Sequence, residues 1–120
     1  MLRALAVLFT LMLSVNSSGA QSPRCLQAAV STAEMRECQR VALIEVDCRL
    51  NASYRRAIAG LEPDQQEKLR RSERAWIAFR DADCDVFYSA QTGTRSFLQA
   101  GSCLINHSEQ RIRDLASFLD

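Results

Sequence analysis

A small antiparallel three-helix bundle, all-α and cross-linked by disulfides, is the fold this sequence predicts. Apolar residues recur at helical spacing along three long stretches, with no strand-length alternation between them. Glycine and proline fall between those stretches rather than inside the first two. Five cysteines, Cys25, Cys38, Cys48, Cys84 and Cys103, all lie downstream of Ala20. That placement suits a small exported domain whose core is supplemented by disulfides.

The N-terminus carries the export reading. Met1-Leu2-Arg3 supplies a positive start, and Ala4 to Val15 is apolar apart from Thr10 and Ser14. Ser18-Gly19-Ala20 then places small residues where a signal peptidase reads. A membrane anchor is the rival reading, but a span needs about 20 apolar residues and this run is shorter. Residues 1–20 are therefore expected to be a signal peptide cleaved before Gln21. No cysteine follows the small-residue site, so a lipid anchor is not expected, and residues 21–120 should form a single soluble helical domain.

The first helix starts at Ser31-Thr32-Ala33-Glu34, a capping box in which Ser31 and Glu34 satisfy each other's free amides. Leu43, Val46, Leu50, Tyr54, Ala57 and Leu61 continue it at helical spacing, and Gly60 marks its stop. Pro63 suits the opening of a second helix, with Asp64 near its positive end. Leu69, Trp76, Phe79 and Val86 form its expected core face, and the Gln91-Thr92-Gly93-Thr94 turn closes it. A third helix runs from about Arg95 to Leu119 through Leu98, Ile105, Ile112 and Leu115. Gly101-Ser102 and Asn106-His107-Ser108 are its weak points.

Short turns make neighbouring helices antiparallel, so residues equidistant from a turn face each other. Cys84 and Cys103 are equidistant from a turn centred between Gly93 and Thr94. Cys25 precedes the first helix, and Cys38 sits within its second turn, so a bridge there would tie the N-terminal segment down. Cys38 and Cys84 are also equidistant from Leu61, and that pairing stays open on spacing alone. Cys25–Cys38 with Cys84–Cys103 is the favoured set. Cys48 is then left as an unpaired thiol, about 200° around the helix from the core residue Val46. Its plainest reading is a chance exposed cysteine; a Cys48-linked dimer is the alternative to a monomer. Metal binding by the cysteines is not expected: there is no C-x-x-C, and the one histidine, His107, is four residues from Cys103.

Charge and chemistry exclude several classes. The chain has 15 basic and 14 acidic residues, so loss of Arg3 leaves the mature part with no formal net charge. Nucleic-acid binding favours a strongly basic face, which this balance does not supply. With one histidine and no Gly-rich phosphate loop, no catalytic set is evident, no cofactor is implied and an enzyme is not expected.

Two segments carry a family resemblance. Asp47, Leu50, Asn51 and Tyr54 read as D-x-x-L-N-x-x-Y, and Arg74 to Cys84 reads as R-A-W-I-x-F-R-D-x-x-C, with Trp76, Phe79, Arg80 and Asp81 at its centre. Together with Glu34-Met35 before Cys38, Cys103, Arg111 and Leu115, the pattern resembles the LprI-type lysozyme-inhibitor domain over about residues 25–115. The resemblance implies a small exported bacterial helical domain with four cysteines matching Cys25, Cys38, Cys84 and Cys103. Cys48 is an addition to that pattern.

The resemblance also implies a protein partner, a lysozyme, whose cleft the domain would occlude. Lysozymes cleave glycans with paired carboxylates in a cleft, so an inhibitor offers cations, hydroxyls or a rigid protrusion. Candidate groups are Arg70, Arg71 and Arg74, then Arg55 and Arg56, and the turn at Thr94 and Arg95. Ordinary solvated faces are the competing reading for each. The motif residues read instead as architecture. Trp76 and Phe79 are expected in the core, with Trp76 opposite Val46, while Arg80 and Asp81 join Asp47 and Asn51 in a polar network between the first two helices. A periplasmic protein-binding or envelope module without lysozyme activity is the alternative function.

Overall fold

The computed structural model describes residues 21–90 and 93–119. The expected signal peptide lies outside the described residues, as do Gln91 and Thr92 of the expected turn. Four helices follow one another: α1 Gln21–Ala28, α2 Thr32–Ala59, α3 Pro63–Ala90 and α4 Thr94–Ala116. The expectation of three helices is corrected by α1, in the segment read as a lead-in. Pro23 is compatible with this because a helix's first turn needs no backbone N–H from proline. The Cys25–Cys38 disulfide, with Cα atoms 5.7 Å apart, fastens α1 to α2.

Local chemistry sets the helix ends. Ser31 Oγ accepts from the Glu34 amide at 3.2 Å, and Glu34 Oε2 accepts from the Ser31 and Val30 amides at 3.0 and 2.7 Å. Gly60 ends α2 but in a right-handed conformation, φ −86°, that any residue adopts. The turn is held by Gln66 Nε2, which donates to the carbonyls of Ile58 and Leu61 at 3.0 Å each. Gly93 before α4 is different: its φ of +88° is a conformation that costs other residues dearly. Gly101 and Asn106-His107-Ser108 do not interrupt α4.

Packing is dominated by α4. It lies against α2 most extensively and against α3 next, whereas α2 and α3 share no comparable seam despite their short connection. Partners run in the same chain order along α2 and α4: Thr32 with Thr94, Arg36 with Phe97, Arg49 with Glu109. Along α3 and α4 they run in opposite order: Phe87 with Ser96, Cys84 with Cys103, Glu73 with Arg111. Leu50, Ala57, Leu69 and Leu115 form the buried cluster where three helices meet, with Tyr54, Trp76 and Ile112 packed on it.

Apart from Val46, the rest of the α2–α4 seam is mostly small or polar. Ala42, Ser53, Ala100, Gly101 and Ser108 are buried, and the Gln39 side chain, 1 % exposed, lies over Gly101. A Cβ at Gly101 would overlap the Gln39 amide, so glycine here sets how closely the helices approach.

The inward face of α3 also differs from the expected one. Phe79 and Val86 are 57 % and 59 % exposed, and the inward stripe runs through the buried Leu69 and Cys84 and the half-buried Glu73, Trp76 and Arg80. Two charged residues occupy inward positions, which an apolar count skips. Trp76 is half-buried and packs on the Leu50–Leu115 cluster.

Two predictions follow from these contacts. Gly101→Ala should lower stability by about 1–2 kcal/mol, because overpacking outweighs the helix propensity gained. Gln39→Ala in the same chain should recover most of that loss in thermal melts, since the two sites share one space. Separately, hydrogen bonding from Arg49 holds the Glu109 carboxyl below its ordinary 4.5, and amides of Val30 and Ser31 do the same for Glu34. Carboxyls depressed in the folded chain contribute stability above the unfolded pKa and lose it as pH falls through the folded one. Melting temperature should therefore drop on acidification below about pH 4.5, and Glu109→Gln should shrink that drop while lowering stability at neutral pH.

Candidate functional site

The two motif segments meet across one groove. On α2, Asp47, Leu50, Asn51 and Tyr54 stand at i, i+3, i+4 and i+7, which is one helix face. On α3, Arg70, Glu73, Arg74, Ile77 and Arg80 form the matching face. Together these nine residues line a cleft of about 440 Å³ between α2 and α3. The cleft exists because α4, not α3, is the main partner of α2, so the two motif helices are splayed.

Beside the cleft, the Trp76 ring is held between two cations. The Arg80 guanidinium lies 5.0 Å from the Trp76 ring centre and the Arg111 guanidinium 5.7 Å. Arg111 bonds Glu73 at 2.8–2.9 Å and Ser72 Oγ at 3.2 Å, with both charged side chains nearly buried. Removing one partner of such a buried pair costs about 3–5 kcal/mol, because the other charge is stranded. This pair fixes α3 to α4 and keeps Trp76 in place.

The rim is looser. Arg70 and Arg74 reach Glu67 at 3.6 and 3.9 Å, and all three side chains are largely exposed. Exposed pairs of this kind are worth about 0–1 kcal/mol. Both arginines can exchange Glu67 for another carboxylate at little cost.

The expected polar network between the first two long helices is thinner than the sequence suggests. Arg80 bonds the adjacent Asp81 at 2.8–2.9 Å and comes only to 4.0 Å from Asp47. Among the described residues, the side chains of Asn51 and Tyr54 make no hydrogen bond within the chain. The inter-helix polar ties lie elsewhere, in Arg111–Glu73 and in Arg49–Glu109, where Arg49 Nη1 donates to Glu109 Oε2 at 3.1 Å. Their sequence signal is faint: Arg111 lies one turn before the buried Leu115, and Glu73 one turn before Trp76.

The candidate partner-binding residues do not form one patch. Arg70 and Arg74 line the α2–α3 cleft. Arg71 is exposed outside it, and Arg55 and Arg56 are exposed near the end of α2, where Arg56 donates to Ser53 Oγ at 3.1 Å. Thr94 is half-buried, its hydroxyl 3.5 Å from that of Thr32. Arg95 belongs to a second, open groove of about 810 Å³ between α3 and α4, with Phe87, Leu98 and His107. Cys48 is an exposed thiol on α2, and Cys84–Cys103 joins α3 to α4 with Cα atoms 5.6 Å apart. The two bridges are Cys25–Cys38 and Cys84–Cys103, of which mirror spacing about a turn pointed to the second.

Comparison with known proteins adds to this geometry. The family described as "Lysozyme inhibitor LprI" matches residues 25–115, a stretch containing both motif segments and all five cysteines. An uncharacterized protein of Rhizobium meliloti (strain 1021) is 25 % identical over 136 aligned residues, covering 99 % of this chain and 97 % of that protein. No solved structure matches. The match across most of the helical domain is the basis for assignment: this chain belongs to the LprI lysozyme inhibitor family.

Proposed function

We propose that the mature chain, from Gln21, is an exported, non-catalytic inhibitor that binds a lysozyme through the α2–α3 face and blocks its substrate cleft. The observation that carries this reading is the convergence of both motif segments on one groove, with weakly paired, exposed arginines at its rim. A lysozyme cleft presents the pair of carboxyl groups that carries out glycan cleavage, and arginine meets a carboxylate with two parallel hydrogen bonds. Arg70 and Arg74 are held by weak surface pairs, so a competing carboxylate displaces Glu67 readily. Asn51 and Tyr54 bring uncommitted polar groups to the same face, and half-exposed Ile77 brings apolar contact.

Export is supported by the leader-like N-terminus and by two disulfides, which persist in oxidising compartments. Among the described residues, no helix is long and apolar enough to cross a membrane. The uncharged balance of the mature chain suits a protein partner better than nucleic acid.

A turbidity assay with bacterial cell walls, lysozymes of several classes and purified mature protein tests the proposal. Dose-dependent protection of the walls is expected at micromolar protein. Arg70→Glu with Arg74→Glu should weaken it by about 10-fold or more, since like charges then face the cleft, while the thermal melt stays near wild type. Absence of inhibition against every lysozyme class would leave a cell-envelope binding module as the function.

A further inference from the structure

We propose that the Cys84–Cys103 disulfide masks a zinc site, opened when that bond is reduced and formed by Asp83, Cys84, Cys103 and His107. One ligand atom from each of these four residues lies within 4.8 Å of the other three. Zinc binds thiolate sulfur at about 2.3 Å and imidazole or carboxylate atoms at about 2.0–2.2 Å, so tetrahedral ligand atoms sit about 3.3–3.8 Å apart. The cluster is thus near the required size, and the main change is separation of two bonded sulfurs.

The helices pre-arrange the set. Cys103 and His107 are four residues apart on α4 and project from one face. Asp83 and Cys84 are adjacent on α3, and Asp83 Oδ2 is already 2.7 Å from His107 Nε2. Reduction should leave these groups together because other ties flank them. Ser96 Oγ donates to the Phe87 carbonyl at 2.6 Å on one side, and Arg111 pairs with Glu73 on the other.

Access differs between the two sulfurs. Cys84 is 1 % exposed, whereas Cys103 and His107 line the open α3–α4 groove. A thiol nucleophile therefore reaches the Cys103 sulfur from the groove. Phe79 sets its ring edge-on to His107, centroids 5.4 Å apart, and limits the turning of the imidazole. In the oxidised chain only the carboxylate and imidazole are good ligands, too few for a structural zinc site. Two thiolates with imidazole and carboxylate favour zinc over magnesium or calcium.

The reductant is a dithiol protein of the thioredoxin class exported to the same compartment, because disulfides there otherwise persist. Its first thiolate attacks the Cys103 sulfur and expels the Cys84 thiolate, leaving a mixed disulfide. Its second thiol resolves that intermediate, so the reductant ends as a disulfide and Cys84 and Cys103 as thiols. Zinc binding then releases the two thiol protons.

Cobalt(II) titration of the phosphine-reduced mature protein tests the site, because tetrahedral thiolate coordination gives intense visible bands and a sulfur-to-cobalt charge-transfer band. These bands are expected in the reduced chain at one cobalt per chain and not in the oxidised chain. His107→Ala and Asp83→Asn should each weaken cobalt binding by about 10–100-fold or more, given that even outer-shell partners are worth that much. Cys25→Ser with Cys38→Ser and Cys48→Ser should leave the bands in place. Zinc should also shield Cys84 and Cys103 from alkylation, read by mass spectrometry. The proposal is overturned by absent bands, by bands that survive Cys103→Ser, or by a reduced chain whose helicity is lost and not restored by zinc.

Discussion

Close approach of α4 to α2 is the constraint on which the rest of the structure depends. Ala42, Ala57, Ala100, Gly101 and Ser108 keep this seam narrow, and Gln39 lies where a side chain at residue 101 would have to go. With α2 committed to α4, α3 docks on α4 instead, through the Cys84–Cys103 bridge and the Arg111–Glu73 pair. The gap this leaves between α2 and α3 is the cleft lined by both motif segments. Architecture and candidate site are thus consequences of one packing choice.

The interior is partly polar, while several large apolar side chains stay exposed. Gln39, Ser53, Ser96, Ser108 and Arg111 are buried alongside the apolar core. Arg111 is satisfied by Glu73 and Ser72, whereas the buried Gln39 Oε1 has no hydrogen-bond partner among the described residues. Disulfides supply what the small core does not, at about 2–4 kcal/mol each. The arrangement also leaves Phe79, Val86 and Tyr88 of α3 substantially exposed.

Much of this was legible in the sequence where chemistry is local. The Ser31–Glu34 capping box, the break around Gly60 to Pro63 and the mirror placement of Cys84 and Cys103 all depend on neighbours or on a short turn. The face of α3 was not legible, because Glu73 and Arg80 point inward and an apolar count assigns that face to Phe79 and Val86. Their inward placement depends on Arg111 and Trp76, which the turn geometry alone does not bring together. Gly101 was legible as an anomaly but with the wrong meaning: it reads as a helix breaker, yet serves as a close-contact point. The α2–α3 cleft escaped for the same reason, since short turns suggested sequential packing of neighbours.

Five of the family's motif residues, Asp47, Leu50, Asn51, Tyr54 and Arg80, line the α2–α3 cleft, which is the face proposed to meet the partner. Hydrogen exchange of the mature protein, alone and with a saturating lysozyme, tests that claim most directly. The account predicts slowed exchange concentrated in residues 47–54 and 70–80, with the α3–α4 groove around Arg95 and His107 unchanged. Protection confined to that second groove, or absent from the chain altogether, would contradict it.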